Sequence, residues 1–269
     1  MKIFETAGSF DLPDDRVWIS GDWHGNAAWP GMLLPAMRRH DRTISTVLQL
    51  GDFWPSDAFL ATVDYWAERA AIEHVLFLPG NHEPWQELIP IEVDLAPGQA
   101  ARISERVYFL PRPFRFTIGG RTVLALGGAS SVDAEWRTPG ADFWPQERIT
   151  QAHEDAAVAD GPADILLTHE SPVTAVPEVA RILASNPNGY PAAALAISAA
   201  QRERVERVHD AVQPILHFHG HMHVYGNLTL PSGQQIISLA QDGQPGNAGV
   251  LDLEDLSFEL LTHSEIVRR

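Results

Sequence analysis

Short apolar runs alternate along the chain with longer stretches whose apolar residues recur at helical spacing. The runs rich in β-branched and aliphatic residues predict buried strands at 16–20, 46–50, 74–78, 163–167 and 215–218. The clearest predicted helix runs from an N-cap at Ser56 or Asp57 to about Ala71. The other predicted helices end near His40 or cover 146–159 and 200–212. This order of elements is typical of βα units and therefore of an α/β fold.

Other regions lack this alternation. Two or three strands are expected from Val107 to Ala129, with a hairpin turn at Gly119-Gly120, and antiparallel strands are expected over 223–262. The segment 130–145 predicts a long ordered loop, and the proline-rich stretch 171–199 predicts an irregular one. Because no repeat or change in composition marks a linker, we expect one domain over 1–269. Its two βα-rich stretches predict two stacked sheets with helices outside.

Composition and charge narrow the classes of function. The chain has no cysteine, which excludes disulfides, thiolate zinc sites and cysteine nucleophiles and fits a reducing compartment. With no signal-like N-terminus and no apolar run near 18 residues, we expect a cytoplasmic protein that spans no membrane. The formal net charge of −16 disfavours a nucleic-acid polymer as partner. A small phosphorylated substrate remains compatible with this charge if cations are bound. The sequence does not define an oligomeric state.

Residues able to bind metal follow the predicted strands at several places. They occur in Gly21-Asp22-Trp23-His24-Gly25, Gly51-Asp52, Gly80-Asn81-His82-Glu83, Thr168-His169-Glu170 and Gly220-His221-Met222-His223. Each motif alone could be an ordinary turn or a pair of surface histidines. Because the carboxyl ends of strands in such sheets form the usual ligand crevice, the motifs together predict a hydrolytic site with two metal ions.

The types of side chain define the chemistry of this site. Asp22 and His24 are two residues apart and can reach one cation from the same side, whereas Asp52 can bridge two cations. Oxygen and imidazole ligands without sulfur suit manganese best here, with iron, zinc, cobalt or nickel as alternatives. Two divalent ions would supply a hydroxide nucleophile near neutral pH and neutralise a phosphoryl group. His82, beside Asn81, is the candidate general acid for the leaving group.

In this order the motifs resemble those of the calcineurin-like metallophosphoesterase superfamily, and the match runs from Asp22 to His223. The resemblance implies a four-layer α/β/β/α sandwich with two stacked mixed sheets and a dinuclear metal centre. The ligands it implies are Asp22, His24 and His223 for one metal, Asn81, His169 and His221 for the other, and Asp52 as the bridge. It also implies that His82 contacts the phosphate and protonates the leaving group.

The residues after Asp52 depart from one branch of that superfamily. The protein Ser/Thr phosphatases continue as Gly-Asp-x-x-Asp-Arg-Gly, but here Pro55 and Ser56 occupy the Asp and Arg positions. This departure favours a phosphodiesterase acting on small cyclic or nucleotide-like compounds. The alternatives are a phosphomonoesterase, including a protein phosphatase, and a binding scaffold without catalysis.

Five further residues are candidates for supporting roles near the metals or the substrate. Glu83 or Asp57 could orient His82 in place of the missing aspartate. Arg137, in the 130–145 loop, is the best-placed spare cation for a phosphate, and His219 could support the ligands because it alternates with His221 along a strand. Trp136 could stack on an aromatic group of the substrate, although packing is the simpler role.

Overall fold

The computed structural model describes residues 3–268, and within them the chain forms two mixed β-sheets flanked by helices. The strands are β1 (Glu5–Ala7), β2 (Asp11–Leu12), β3 (Arg16–Ser20), β4 (Thr46–Gln49), β5 (His74–Phe77), β6 (Ala100–Arg102), β7 (Val107–Phe109), β8 (Phe114–Ile118), β9 (Arg121–Leu126), β10 (Ile165–Thr168), β11 (Leu216–His219), β12 (Gly226–Thr229), β13 (Gln235–Ser238), β14 (Ala248–Asp252) and β15 (Phe258–Leu260). The helices are α1 (Ala28–His40), α2 (Asp57–Ala70), α3 (Trp85–Asp94), α4 (Gln151–Ala159), α5 (Pro177–Ser185), α6 (Ala192–Val212) and α7 (His263–Val267).

Each sheet has a parallel centre that is extended by antiparallel strands. The first sheet has the order β1-β6-β7-β5-β4-β3-β14-β15, and the second has the order β12-β13-β11-β10-β9-β8-β2. β3, β4 and β5 are parallel neighbours in the first sheet, as are β9, β10 and β11 in the second. The carboxyl ends of these strands carry the predicted ligands.

The apolar runs of the central strands are buried on both faces, which explains why they show no alternation of polar residues. On β3, Trp18 faces the helical layer of the first sheet, whereas Val17 and Ile19 face the core between the sheets. On β10, Leu166 packs against α6 and Leu167 against the first sheet. The four-layer α/β/β/α sandwich expected from the sequence is thereby confirmed. No helix in residues 3–268 is long and apolar enough to cross a membrane.

The prediction of an irregular 171–199 segment is wrong. Pro177 begins α5, and Pro191 immediately precedes α6, which starts at Ala192 rather than near 200. Proline is well tolerated in the first turn of a helix because its missing N–H would have no partner there. These prolines therefore mark where helices begin, and the remaining linker is short.

Two other expectations also needed correction. The helix predicted from about Gln146 begins at Gln151, because Thr150 caps it in a capping box with His153. The C-terminal strands form two antiparallel pairs that belong to different sheets: β12 pairs with β13 and β14 pairs with β15. β13 also runs parallel to β11. The hairpin at Gly119-Gly120 is present as predicted.

Candidate metal centre

The predicted ligands meet where the carboxyl ends of the two sheets face each other. Those that follow β3, β4 and β5 come from the first sheet, and those that follow β10 and β11 come from the second. Residues far apart in the sequence meet in this way: the backbone N–H of His221 donates to Asp22 Oδ1 at 3.2 Å, across 199 positions of the sequence.

One cluster contains Asp22, His24, Asp52 and His223, whose potential ligand atoms all lie within 4.8 Å of one another. His223 Nε2 is 3.2 Å from Asp22 Oδ2, and His24 Nε2 is 3.6 Å from Asp52 Oδ2. Both carboxylates are fully buried, and their Oδ2 atoms have no hydrogen-bond partner. Because an unpaired buried carboxylate is costly, these atoms fit a bound cation.

A second cluster lies on the other side of Asp52. His169 Nε2 is 3.3 Å from Asp52 Oδ1 and 3.1 Å from Asn81 Oδ1. The rings of His169 and His221 are 5.0 Å apart, and burial lowers the pKa of His221 well below its usual value. Asp52 therefore presents one oxygen to each cluster, which is the geometry expected of a bridging carboxylate.

The ring orientations of two histidines leave one nitrogen of each facing a cluster. His169 Nδ1 donates to the Leu50 carbonyl at 2.7 Å, and His24 Nδ1 contacts Asp242 Oδ1 at 2.8 Å. Such contacts fix the tautomer of metal-binding histidines and raise their basicity. Burial opposes protonation of both rings, but the surrounding carboxylates outweigh it and raise the pKa of each to about 10. The site is thus strongly electronegative and suited to cations.

The backbone at the centre adopts conformations that L-residues rarely occupy. His24, Asp52, His221 and His223 all have positive φ, between 47° and 66°. Strain of this kind persists at functional sites where the surrounding structure imposes it. Gly51 has φ 95°, and a Cβ on it would lie 2.5 Å from His169 Nδ1, so glycine is required directly before Asp52.

Three residues that support the ligands were missed from the sequence. Asp242 orients His24, and it also accepts from Asn26 Nδ2 at 2.7 Å. Ser131 Oγ accepts from Asn81 Nδ2 at 3.1 Å and donates to Glu147 Oε2 at 2.9 Å. None of the three belongs to a metal-binding motif of the sequence, and an aspartate in a turn, as at Asp242, is ordinary.

His82 lies beside the two clusters and contacts an arginine. Arg137 Nη2 is 2.9 Å from His82 Nε2, and Arg137 Nε forms an ion pair with Asp133 at 2.8 Å. Trp54 stacks on the His82 ring, and the backbone N–H of His82 donates to Asp52 Oδ1. Burial lowers the pKa of His82; the charge of Asp52 opposes this shift and that of Arg137 adds to it. Because a guanidinium can only donate, Nε2 of His82 accepts in this arrangement.

Neither of the carboxylates suggested as partners of His82 contacts its ring. Glu83 accepts from the backbone N–H groups of Gly80, Phe53 and Trp54, and burial raises its pKa to about 7. Asp57 begins α2 and lines a separate surface groove with Phe4. Neither carboxylate is therefore placed to orient the His82 ring by direct contact.

His219 is fully buried, and Nδ1 of its ring donates to the Gly220 carbonyl at 3.0 Å. It therefore supports the backbone of the His221 loop, and Nε2 of its ring has no hydrogen-bond partner among the described residues.

A partly open cavity of about 160 Å³ adjoins the ligands. One wall contains Asp52, His82 and His223, and the other comes from α5, the start of α6 and the loop between them. Among residues 3–268, none of those that line this cavity is Lys or Arg.

Comparisons with known proteins agree with this geometry. The sequence model for calcineurin-like phosphoesterases matches residues 15–225. Among solved structures, a dimetal phosphatase from Danio rerio is 14% identical, with a TM-score of 0.56, 92% of this chain and 93% of that chain being covered. A protein from Thermus thermophilus is also 14% identical, with a TM-score of 0.55, covering 92% of this chain and 98% of that one. No curated protein matches the sequence significantly.

Proposed function

The chain belongs to the calcineurin-like phosphoesterase family and is thus a metal-dependent hydrolase of phosphoric esters, and we propose that its substrates are small phosphodiesters. Phosphomonoesters, including phosphoproteins, are the alternative class.

The charge around the cavity carries this proposal. A monoester dianion needs more cationic charge than a diester monoanion, yet the cavity is lined by no lysine or arginine. The guanidinium of Arg137, which contacts His82, is already neutralised by Asp133. The wall opposite the metals offers uncharged side chains that would suit an organic ester group. A diester combines one negative charge with two such groups.

Seven residues are proposed as metal ligands, in two sets that share Asp52. They are Asp22, His24 and His223 on one side, Asn81, His169 and His221 on the other, and Asp52 between them. Bound divalent cations would neutralise phosphoryl charge and make hydroxide available near pH 7. The donor set suits manganese, with iron, zinc, cobalt or nickel as alternatives. Manganese and the cytoplasmic location inferred from the sequence both stay predictions.

His82 and Arg137 would handle the proton and the phosphoryl oxygen. An incoming phosphoryl oxygen would attract the Arg137 guanidinium away from His82 Nε2. With that nitrogen released and a negative charge nearby, His82 would bind a proton and pass it to the leaving alkoxide. Asp133 holds Nε of Arg137 and the Asp142 carbonyl holds Nη1, so a small shift of the planar guanidinium would bring Nη2 from His82 to the phosphoryl oxygen.

The proposal is tested by comparing bis-p-nitrophenyl phosphate with p-nitrophenyl phosphate on chelator-stripped protein reloaded with Mn²⁺. We expect a higher kcat/KM for the diester and no turnover before metal is added. Faster hydrolysis of the monoester would reverse the assignment in favour of a phosphomonoesterase. The assay is repeated with iron, zinc, cobalt and nickel. If neither ester is hydrolysed with any of these metals or with manganese, the catalytic interpretation is refuted and a binding scaffold is favoured.

A further inference from the structure

The cavity beside the metal ligands is built largely from one segment of the chain. Residues 182–198, which comprise the end of α5, a short loop and the start of α6, contribute eight of its lining residues. We call this segment the α5–α6 wall. It lines the same cavity as the ligands, so an organic group of a substrate held at the ligands would lie within reach of it.

The α5–α6 wall is held in shape by its own hydrogen bonds. Asn186 Oδ1 accepts from the Tyr190 N–H at 2.9 Å, and Asn186 Nδ2 donates to the Tyr190 carbonyl at 3.0 Å. Asn188 Nδ2 donates to the Tyr190 hydroxyl at 3.0 Å. The Tyr190 ring also lies 5.5 Å from that of Trp136, which is 63% exposed. The wall is therefore pre-formed, which lowers the entropic cost of binding a ligand.

The α5–α6 wall is uncharged and combines apolar side chains with the polar side chains of Asn186, Asn188 and Ser198. Ile182, Leu183 and Leu195 line the cavity together with the aromatic ring of Tyr190, and Met222 closes it from the His221 loop. Among the described residues that line the cavity, the carboxylate outside the ligand group is Asp133, which is paired with Arg137. A charged group would lose hydration against this wall without finding an opposite charge.

The size of the cavity limits what can fill it. Its volume is about 160 Å³, and an apolar cavity of about 150 Å³ accepts one benzene ring. A single aromatic ring or a short branched chain is therefore the size of group that this cavity can enclose, and a larger group would extend through its open side.

From these observations, and resting on the proposed function, we infer that the α5–α6 wall is a specificity pocket for an uncharged, single-ring ester group of the substrate. The phosphoryl group would lie at the metals, and the ring would lie between Leu195 and Tyr190.

The experiment measures binding separately from turnover. Methylphosphonate and phenylphosphonate differ only in the organic group, and neither is hydrolysed. Calorimetric titration into the Mn²⁺-loaded protein should show phenylphosphonate binding about 10- to 100-fold more tightly, as expected for burying one ring. Equal affinities for the two phosphonates would refute the specificity pocket, even if the protein hydrolyses diesters. A clear preference for phenylphosphonate in a protein that hydrolyses no phosphoester would support the pocket while refuting the proposed function.

Matched variants locate the effect. Leu195→Ala and Tyr190→Ala should each reduce the phenyl-to-methyl affinity ratio by about 5-fold. Ile197→Ala is the control, because Ile197 lies on the same helix, is 38% exposed and does not line the cavity. An unchanged ratio in both pocket variants, or an equal loss in the control, would contradict the assignment. Thermal unfolding of each variant checks folding, and the wild-type ligand pair remains decisive if a variant does not fold.

Discussion

Replacing Ser131 with alanine should weaken one metal site and spare the other. Ser131 Oγ is the acceptor for Asn81 Nδ2, and this bond directs Asn81 Oδ1 towards His169. Without the hydroxyl, the amide can turn over, and its NH₂ group would then face the position of the cation. Asp22, His24 and His223, which form the other cluster, do not contact Ser131.

The size of the effect follows from burial. Asn81 and Ser131 are each only 3% exposed, so water cannot replace the lost acceptor easily. A buried donor left unpaired costs about 1–3 kcal/mol, which corresponds to roughly 5- to 150-fold in affinity. Loss of residues that orient metal ligands elsewhere typically costs about 10- to 100-fold in affinity for the metal. We therefore expect the second Mn²⁺ to bind about 10- to 100-fold more weakly.

The assay titrates Mn²⁺ into chelator-stripped protein in competition with a chelating dye that resolves two sites. Ser130→Ala is the matched control, because Ser130 is buried next in sequence but its hydroxyl has no hydrogen-bond partner. Two unchanged affinities in Ser131→Ala would refute the argument. So would an equal weakening in the Ser130 variant, since the effect would then reflect general loss of packing.

Two further predictions concern a proton and a buried carboxyl. His82→Ala should retain both metals but lose at least about 100-fold in turnover. The loss should be smallest for esters with good leaving groups, because only a poor leaving group needs the acid. Loss of metal on calorimetric titration would instead identify His82 as a ligand. Burial raises the pKa of Glu147 from 4.5 to about 7, with its bonds to Ser131 opposing the shift. A raised folded-state pKa gives stability that is complete below pH 4.5 and lost as the pH rises through 7, by up to about 3 kcal/mol. In metal-free protein, Glu147→Gln should therefore flatten the fall in unfolding free energy between pH 5 and 8, and parallel denaturation profiles would contradict this.

Much of the centre could be predicted because its ligands lie at strand ends. In the sequence, the end of a buried strand is marked by the first polar residues after an apolar run. In the folded sheet, these polar residues lie together at one edge. Asp22, Asp52 and His169 are of this kind. The residues that orient these ligands do not follow an apolar run and so have no such signal in the sequence. Asp242 lies 218 positions from His24, in a turn where an aspartate is ordinary, and Glu147 lies in a short 3₁₀ turn.

The errors have a physical cause as well. The prolines of 171–199 predict an irregular chain, whereas Pro177 and Pro191 lie at helix starts, where the missing N–H has no cost. Because a predicted loop has no defined face, the sequence does not reveal the α5–α6 wall. Glu83 was expected to reach the neighbouring His82, but the backbone turns its carboxylate towards three N–H groups instead.

The division of ligands between the two sheets has a consequence for the whole molecule. Asp52 and its neighbours are anchored to the first sheet, whereas His169 and His221 are anchored to the second. Cations bound by both sets of ligands would link the two sheets at one end of the sandwich. Because metal that binds only the folded state adds its binding energy to the folding energy, supply of metal and resistance to unfolding become thermodynamically linked. A cell short of the ion would thus contain less active enzyme, and the protein would also be less stable against unfolding.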